Sequence, residues 1–177
     1  MHGSTGDAVR YASLLSCVTL CALSGWSCLN PFAPRLDTST PSQLCSDLTT
    51  IDNVLCTWRN AYSFRDTTLY GSILAPNFTF VYRDYDRGVD VSWGRDDEMR
   101  STYALFQNIE SLTLIWNNEL PIFENDTVKS IQRAFNLTVT FNSSNIDRVD
   151  GNAILTFTRA STRDGWRIAF WRDESNY

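Results

Sequence analysis

The sequence contains almost no histidine or lysine. Its 177 residues include one histidine, His2, and one lysine, Lys129, so arginine carries nearly all of the positive charge. Histidine is the commonest general base near neutral pH and the commonest metal ligand, so the body of the chain cannot form a Ser-His triad or a histidine metal cluster. A net charge of −5 with a single lysine argues against binding of nucleic acid through phosphate neutralisation. We therefore expect no metal, no cofactor and no nucleic-acid partner.

Long hydrophobic runs are also scarce, and the most prominent one lies near the start of the sequence. Residues 11–24 are apolar and uncharged, and Arg10 precedes them. A run of about 14 residues is short for a membrane-spanning helix, which needs about 20, and is typical of the apolar part of a signal peptide. We expect a signal peptide at residues 1–27 and an exported protein.

A cysteine, Cys28, stands directly after the expected cleavage site, preceded by the small residues Gly25 and Ser27. This arrangement resembles the lipobox of bacterial lipoproteins, and the resemblance implies lipidation of Cys28 and anchoring in the bacterial cell envelope. Ordinary secretion and an uncleaved hydrophobic anchor are the alternatives. Three of the five prolines fall within residues 29–43, which favours an extended stalk at 28–40 before a folded domain at 41–177.

The folded domain is expected to begin with a helix of about six turns. Apolar residues recur every three or four positions over residues 44–62, as on one face of an α-helix, and Thr40-Pro41 is typical of a helix start. On one helix, Cys45 and Cys56 are roughly 16 Å apart, whereas a disulfide needs Cα atoms within about 7 Å. We therefore expect two unpaired, buried cysteines.

The remaining pattern is mainly alternating, as in β-strands. A short helix is expected at Thr67–Leu74, capped by Asp66, and another at about Arg95–Ile109. Strands are expected around Phe78–Tyr82, Val89–Trp93, Leu112–Trp116, Phe135–Phe141, Leu155–Phe157 and Trp166–Phe170. Asp150-Gly151 and Asp164-Gly165 are interpreted as turns between the last strands. The order predicts an α+β domain in which a curved antiparallel sheet covers the helices.

Three segments resemble the nuclear transport factor 2-like superfamily, and its SnoaL-like members in particular. They are LYGSILAPNFTFVY at 69–82, the Gly-Arg-Asp-Asp turn at 94–97 and RDGWRIAFWRDE at 163–174, and the resemblance extends over about 41–174. It implies a cone, in which a strongly bent sheet wraps around the N-terminal helices and leaves a pocket open at one end. The superfamily contains isomerases, dehydratases, polyketide cyclases and non-catalytic binding domains, and the chain is also similar to its uncharacterised exported lipoproteins.

The resemblance suggests where a site would lie. Ketosteroid-isomerase-like relatives pair an Asp base with a Tyr donor, which makes Asp90 with Tyr62 or Tyr82 a candidate pair. The alternative is that the charged segment 81–98 is a solvated hairpin. The aromatic residues expected to line a pocket, or simply to fill the core, are Trp58, Tyr62, Phe80, Tyr82, Trp93 and Trp116. Trp171 is expected on the opposite, convex face, in contact with a partner.

Two functions remain open from the sequence. The first is a lipid-anchored, non-catalytic envelope domain that binds a small apolar ligand or a protein partner through its cone. The second is a cofactor-free isomerase, dehydratase or cyclase that uses an Asp base and a Tyr donor. By family analogy we also expect a homodimer formed through the open face of the sheet.

Overall fold

A computed structural model describes the chain at Cys45 and at residues 47–175. The signal peptide, Cys28, the stalk and the helix start at Thr40-Pro41 lie outside the described residues. The elements within them are α1 (Ile51–Phe64), α2 (Thr67–Ile73), β1 (Leu74–Asp84), β2 (Val89–Gly94), α3 (Arg95–Gln107), β3 (Ser111–Glu124), β4 (Val128–Asn142), β5 (Asn145–Thr158) and β6 (Arg167–Asp173). No helix in this part of the chain is long and apolar enough to cross a membrane.

Helix α1 begins later than the apolar periodicity suggests. Thr50 caps it, since its side chain accepts a hydrogen bond from the backbone N–H of Asn53 at 3.2 Å. Within the helix the predicted stripe is confirmed, and Ile51, Leu55, Trp58 and Tyr62 are buried. The helix ends at Phe64, after which Arg65 adopts a left-handed conformation with φ of 54°. The residues just before Ile51 are therefore not part of this helix.

The late start of α1 overturns the prediction for the two cysteines. Cys45 precedes the helix and Cys56 lies on it, and the two form a disulfide with a Cα–Cα distance of 5.9 Å. The predicted separation was wrong because it assumed a continuous helix from residue 45 to residue 56. The chain instead folds back, and the hydroxyl of Thr57 donates a hydrogen bond to the Cys45 carbonyl at 2.8 Å.

The six strands of the described residues form one curved, open sheet in the order β2-β1-β6-β5-β4-β3. The expected α+β architecture is confirmed, but the sheet is mixed rather than antiparallel. Strand β6 returns to the middle of the sheet and pairs in parallel with β1 and antiparallel with β5. A wholly antiparallel sheet was expected because sequence neighbours were assumed to be sheet neighbours, whereas β1 and β6 are far apart in sequence.

The turn predicted at Asp150-Gly151 is wrong, because both residues lie inside β5. The chain reverses between Asn142 and Asn145, at the end of β4. Gly151 is needed for another reason: a Cβ atom there would lie 2.2 Å from Oγ of Ser175, which packs directly against it. A glycine within a strand often marks such a close approach. The other turn, Asp164-Gly165, does lie between β5 and β6.

The core lies between α1 and the concave face of the sheet. It joins the buried face of α1 to inward-facing apolar residues of the strands, such as Leu112, Ile131, Leu155, Phe157 and Ile168. At 2% exposure or less, each of these side chains contributes about 1.5–3 kcal/mol through burial. This packing holds α1 across the sheet and positions its C-terminal half over a gap in the core.

Candidate functional site

A cavity of about 70 Å³ lies between the C-terminal half of α1 and the concave face of the sheet. Side chains from α1 and from four strands, β3 to β6, form its wall. The lining residues are Trp58, Tyr62, Leu114, Trp116, Phe135, Leu137, Val149, Trp171 and Asp173. Most of the wall is apolar, and five of the nine side chains are aromatic.

Trp58 is the centre of the aromatic wall. Its ring centroid lies 4.9 Å from that of Trp171, 5.2 Å from that of Trp116 and 5.9 Å from that of Tyr62, and all three pairs meet edge to face. Trp116 is fixed by a hydrogen bond from its indole N–H to the Leu55 carbonyl at 3.1 Å. The indole N–H group of Trp171 is buried with no hydrogen-bond acceptor among the described residues. Edge-to-face packing stabilises such pairs beyond their burial and holds the wall in shape.

Among the described residues that line the cavity, Asp173, at the end of β6, is the one charged residue. It is 6% exposed, and it accepts hydrogen bonds from the backbone N–H of Ser175, at 2.9 Å, and from the Ser175 hydroxyl. Ser175 reaches this position because Gly151 leaves room for it. Burial of a carboxyl group costs free energy unless the group is hydrogen-bonded. The packing of Ser175 against β5 therefore stabilises Asp173 at the cavity, because it holds the two groups of Ser175 that donate hydrogen bonds to this carboxyl group.

Tyr62 lies in the same wall and is buried, with 7% of its surface exposed. Burial raises the pKa of its hydroxyl well above its ordinary value, and the nearby carboxyl group of Glu98 raises it further. The charge of Asp173 also raises the pKa of Tyr62, so this carboxyl group lies close enough to the phenol to interact with it. Tyr62 therefore remains a neutral phenol at physiological pH, able to donate a hydrogen bond.

A second buried acidic residue, Glu98, lies behind the aromatic wall on α3. Its carboxyl group accepts hydrogen bonds from the Tyr70 hydroxyl at 2.7 Å, the Trp93 indole N–H at 2.7 Å and the Thr102 hydroxyl at 3.1 Å. It does not line the cavity. This network ties α3 to α2 and β2, so we assign it a structural role.

The structure divides the six predicted pocket residues into two groups. Trp58, Tyr62 and Trp116 line the cavity. Phe80, Tyr82 and Trp93 form an adjacent aromatic group on β1 and β2, with Phe80 and Trp93 ring centroids 4.4 Å apart, and they do not line it. The division arises because β6 is the last strand of the sheet that contributes to the cavity wall, and β1 and β2 lie beyond it.

Asp90, the predicted candidate base, lies away from the cavity on the exposed surface of β2. It forms ion pairs with Arg83 at 3.0 Å and Arg172 at 2.9 Å. Hydrogen bonds from Arg172 and then Arg83 lower the pKa of its carboxyl group, which favours the charged form. Asp90 is therefore not brought together with Tyr62 or Tyr82 in a common cavity; it matches the alternative interpretation of this segment as a solvated hairpin.

Two of the wall residues outside the predicted set bear on the chemistry of the cavity: the sequence pattern placed Trp171 on the wrong face and did not single out Asp173. The pairing of β6 with β5 shifts by one residue between Ile168 and Phe170, so Ile168 and Trp171 both face inward. A β-bulge of this kind reverses the alternation beyond it. The prediction that Trp171 faces outward is therefore wrong, because strict alternation from Ile168 does not survive the bulge. Asp173 then follows Trp171 on the same inward face.

Three other depressions on the described surface are larger and more polar. One of them, of about 480 Å³, lies near Gly71, Arg95 and Arg167 at the edge of α2 and α3. Among the described residues, no three His, Cys, Asp or Glu side chains are grouped so that they could hold a metal ion. The aromatic cavity is therefore the candidate site.

No protein-family model matches the chain, and no curated protein matches it in sequence. Solved structures do share its fold. A proposed scytalone dehydratase from Novosphingobium aromaticivorans superposes with a TM-score of 0.62 and 8% identity, over 72% of this chain and 82% of that protein. A proposed dehydratase of the NTF2-like family from Streptomyces avermitilis has a TM-score of 0.59 and 15% identity, over 75% and 98%.

A third similar structure is an NTF2-like protein of unknown function in nutrient uptake from Rhodospirillum rubrum. It has a TM-score of 0.58 and 12% identity, over 72% of this chain and 99% of that protein. At such identities a shared structure establishes the fold alone. The chain has the nuclear transport factor 2-like (NTF2-like) fold, as its sequence resemblance implied, and its function must be argued from the site.

Proposed function

We propose that this chain is a non-catalytic domain, held at the bacterial envelope by a lipid on Cys28, that binds a small ligand through its aromatic cavity. The observation that carries the binding function is the cavity itself, formed by five aromatic side chains between α1 and the sheet. Ligand sites are typically concave, mostly apolar and equipped with a few polar groups, as here.

The size of the cavity limits what it can enclose. A dry cavity of about 150 Å³ holds benzene. At about 70 Å³, this one encloses a much smaller group, so a larger ligand would insert one end and leave the rest outside. This limit supports binding over conversion of ring-shaped substrates, because the cavity is too small to surround a reacting ring.

The disulfide supports the exported location. Disulfides form and persist in oxidising compartments and are rare in the cytosol. The Cys45–Cys56 bond therefore agrees with the expected signal peptide at 1–27. The lipid anchor has its own test: Cys28→Ser should abolish labelling by a fatty acid and release the protein from membranes. Persistent labelling of Cys28→Ser would contradict the anchor.

An isomerase or dehydratase is the second candidate, and one observation favours it. Asp173 and Tyr62 line the same cavity, so this carboxyl group could accept a proton while the phenol donates a hydrogen bond. These residues replace the sequence-predicted pair of Asp90 with Tyr62 or Tyr82. Turnover of any carbonyl or alcohol substrate that is lost in Asp173→Asn, but retained in Asp90→Asn, would support this candidate against the non-catalytic one.

Binding can be followed through the tryptophans of the wall. Three of the six tryptophans, Trp58, Trp116 and Trp171, line the cavity, so occupancy should change the intrinsic fluorescence. A panel of small apolar and amphipathic molecules is titrated into the intact chain and into Trp116→Leu. We expect saturable binding that weakens in Trp116→Leu. A panel without any saturable change would contradict ligand binding in this cavity.

We propose strand β3 as the contact surface for the partner expected from the sequence. Four large apolar side chains on this edge strand are more than half exposed, namely Ile115, Leu120, Ile122 and Phe123. An exposed apolar edge favours pairing with a second copy or with another envelope protein. Sedimentation velocity of the intact chain at tens of micromolar should detect a dimer, and a monomer alone would contradict the homodimer.

A further inference from the structure

Two arginine side chains, Arg95 and Arg167, meet at the C-terminal end of α2. Arg95, the first residue of α3, donates a hydrogen bond from Nη2 to the Gly71 carbonyl at 3.0 Å. Arg167, the first residue of β6, donates one from Nε to the Ser72 carbonyl at 3.4 Å. Gly71 and Ser72 are consecutive residues, with Cα atoms about 3.8 Å apart. The guanidinium groups of this arginine pair are therefore held next to each other.

Neither member of the arginine pair has a carboxylate partner among the described residues. Elsewhere in the described chain, several arginines do form ion pairs with carboxylates, namely Arg83, Arg87, Arg100, Arg133 and Arg172. Asp96 lines the same depression as the pair, but it forms no ion pair with either member. The partial negative charge of the helix carbonyls offsets only part of two full positive charges. The pair therefore produces a positive potential that an anion would neutralise.

The arginine pair lies at one end of a longer groove. The depression that it lines has a volume of about 480 Å³. A second depression, of about 330 Å³, shares Arg167 and Pro76 with the first, so the two adjoin and form one groove over Pro76. The second depression adds one charge of each sign, from Arg159 and Asp164. The excess positive charge of the groove therefore lies at the arginine pair, with space for an organic group beyond it.

We propose that this groove binds a phosphate monoester, with the phosphate group between the guanidinium groups of Arg95 and Arg167. Guanidinium groups match phosphate oxygens geometrically and form paired, charge-assisted hydrogen bonds with them. A phosphate monoester carries a charge of about −1.5 to −2 at neutral pH, which suits two arginines better than the single charge of a carboxylate. The organic part of the ligand lies across Pro76. No residue lines both this groove and the aromatic cavity, so the site is separate from the proposed ligand cavity.

The first experiment compares glycerol 3-phosphate with glycerate and with glycerol. Each compound is titrated into the intact chain by isothermal titration calorimetry, in a phosphate-free buffer at constant ionic strength. We expect glycerol 3-phosphate to bind at least about tenfold more tightly than glycerate, and glycerol not to bind. Equal affinity for the two anions would overturn the assignment to phosphate. This comparison uses the unmodified protein, so it does not depend on the folding of any variant.

Variants then assign the binding to the arginine pair. Arg95→Gln and Arg167→Gln should each lower the affinity for glycerol 3-phosphate at least about tenfold. Arg167→Lys keeps the charge but not the planar fork, and it should bind more weakly than the unmodified chain. Arg148→Gln is the matched control, because Arg148 is exposed on β5 and lines neither depression. Thermal melting establishes that each variant is folded.

Two results with these variants would overturn the proposal. Unchanged affinity in both Arg95→Gln and Arg167→Gln would exclude the arginine pair as the site. An equal loss in Arg148→Gln would show that the overall charge of the protein attracts the anion. The variant Trp116→Leu, altered in the aromatic cavity, should bind glycerol 3-phosphate as the unmodified chain does. Loss of phosphate binding in Trp116→Leu would place the anion in the cavity and overturn the groove.

A final comparison identifies the source of the phosphate monoester, which occurs both in soluble metabolites and in the headgroup of phosphatidic acid. The intact chain is sedimented with vesicles of phosphatidylcholine, with and without phosphatidic acid. Binding of glycerol 3-phosphate with equal sedimentation in the two cases supports a soluble ligand. Sedimentation that increases with phosphatidic acid, and does not increase in Arg95→Gln, supports a lipid headgroup. Absence of both effects would overturn the proposal and leave the proposed function of the aromatic cavity untouched.

Discussion

Removal of the Cys45–Cys56 disulfide should lower the stability of the domain by a measurable and calculable amount. The bond closes a short loop, since the two cysteines are 11 residues apart. A cross-link of this loop length reduces the conformational entropy of the unfolded chain by an amount worth about 3 kcal/mol. For a domain of this size, such a change corresponds to a fall in melting temperature of about 10 °C.

The assay compares thermal unfolding of the intact chain with and without reductant, and with the variant Cys45→Ser/Cys56→Ser. The reduced protein and the double variant should melt at similar temperatures, and reductant should have no effect on the variant. The pairing itself is verified by digestion with trypsin, because residues 36–59 form one peptide that contains both cysteines. Without reduction this peptide should be two hydrogen atoms lighter.

Two results would refute the reasoning. If the unreduced peptide 36–59 reacts with an alkylating reagent, the bond is not formed. If the bond is formed but its loss changes the melting temperature by less than about 2 °C, the unfolded chain does not gain the freedom that the loop calculation assumes. In that case the hydrogen bond from Thr57 to the Cys45 carbonyl and the core contacts of α1 would hold this segment without the cross-link.

Three further predictions concern the packing around the cavity. Gly151→Ala should destabilise the domain by about 1–3 kcal/mol in urea unfolding, since the new Cβ would lie 2.2 Å from Oγ of Ser175. Adding Ser175→Gly should restore much of the lost stability. A Gly151→Ala variant as stable as the unmodified chain would contradict the close packing. Glu98→Gln should lower the free energy of unfolding by about 1–3 kcal/mol, because an amide N–H₂ replaces an acceptor oxygen that faces hydroxyl or indole donors. The control is Glu110→Gln at an exposed position, which should leave the stability nearly unchanged. Equal effects of the two substitutions would exclude the network. Burial and the charge of Glu98 raise the pKa of Tyr62, so this tyrosine ionises first in the unfolded chain and stability should fall as pH rises above about 10. In Tyr62→Phe, the urea midpoint should fall less steeply between about pH 9 and 11. Parallel curves for the two proteins would contradict the assignment.

The helical and strand patterns predicted most of the fold because burial on one face leaves a regular trace in sequence. The stripe of α1, the Asp66 cap of α2 and the start of α3 at Arg95 all agree with the structure. The start of α1 was misplaced because Leu48 is also partly buried against the core, although it precedes the helix. Because Leu48 is apolar and falls on the same helical face, the sequence pattern placed the start of α1 too early.

The site was less predictable because it depends on two features without a reliable sequence signal. The bulge in β6 turns Trp171 inward, and the parallel placement of β6 beside β1 decides which aromatic residues surround the cavity. Three of the six predicted pocket residues, Trp58, Tyr62 and Trp116, nevertheless line it. Asp173 could have been noticed as an acidic residue two positions after a tryptophan, but its inward orientation follows only from the bulge.

The central position of β6 has a consequence for the order of folding. The disulfide joins residues near the start of the described chain and can close as soon as both cysteines have left the ribosome and reached an oxidising compartment. Strand β6, by contrast, is the last described strand and must enter between β1 and β5, which makes its pairing with β1 strongly non-local. The acidic end of the cavity, at Asp173 and Ser175, is therefore assembled only when this strand is in place. A nascent or truncated chain that lacks β6 would expose two unpaired strand edges, and the proposed ligand cavity would be incomplete until this strand is in place.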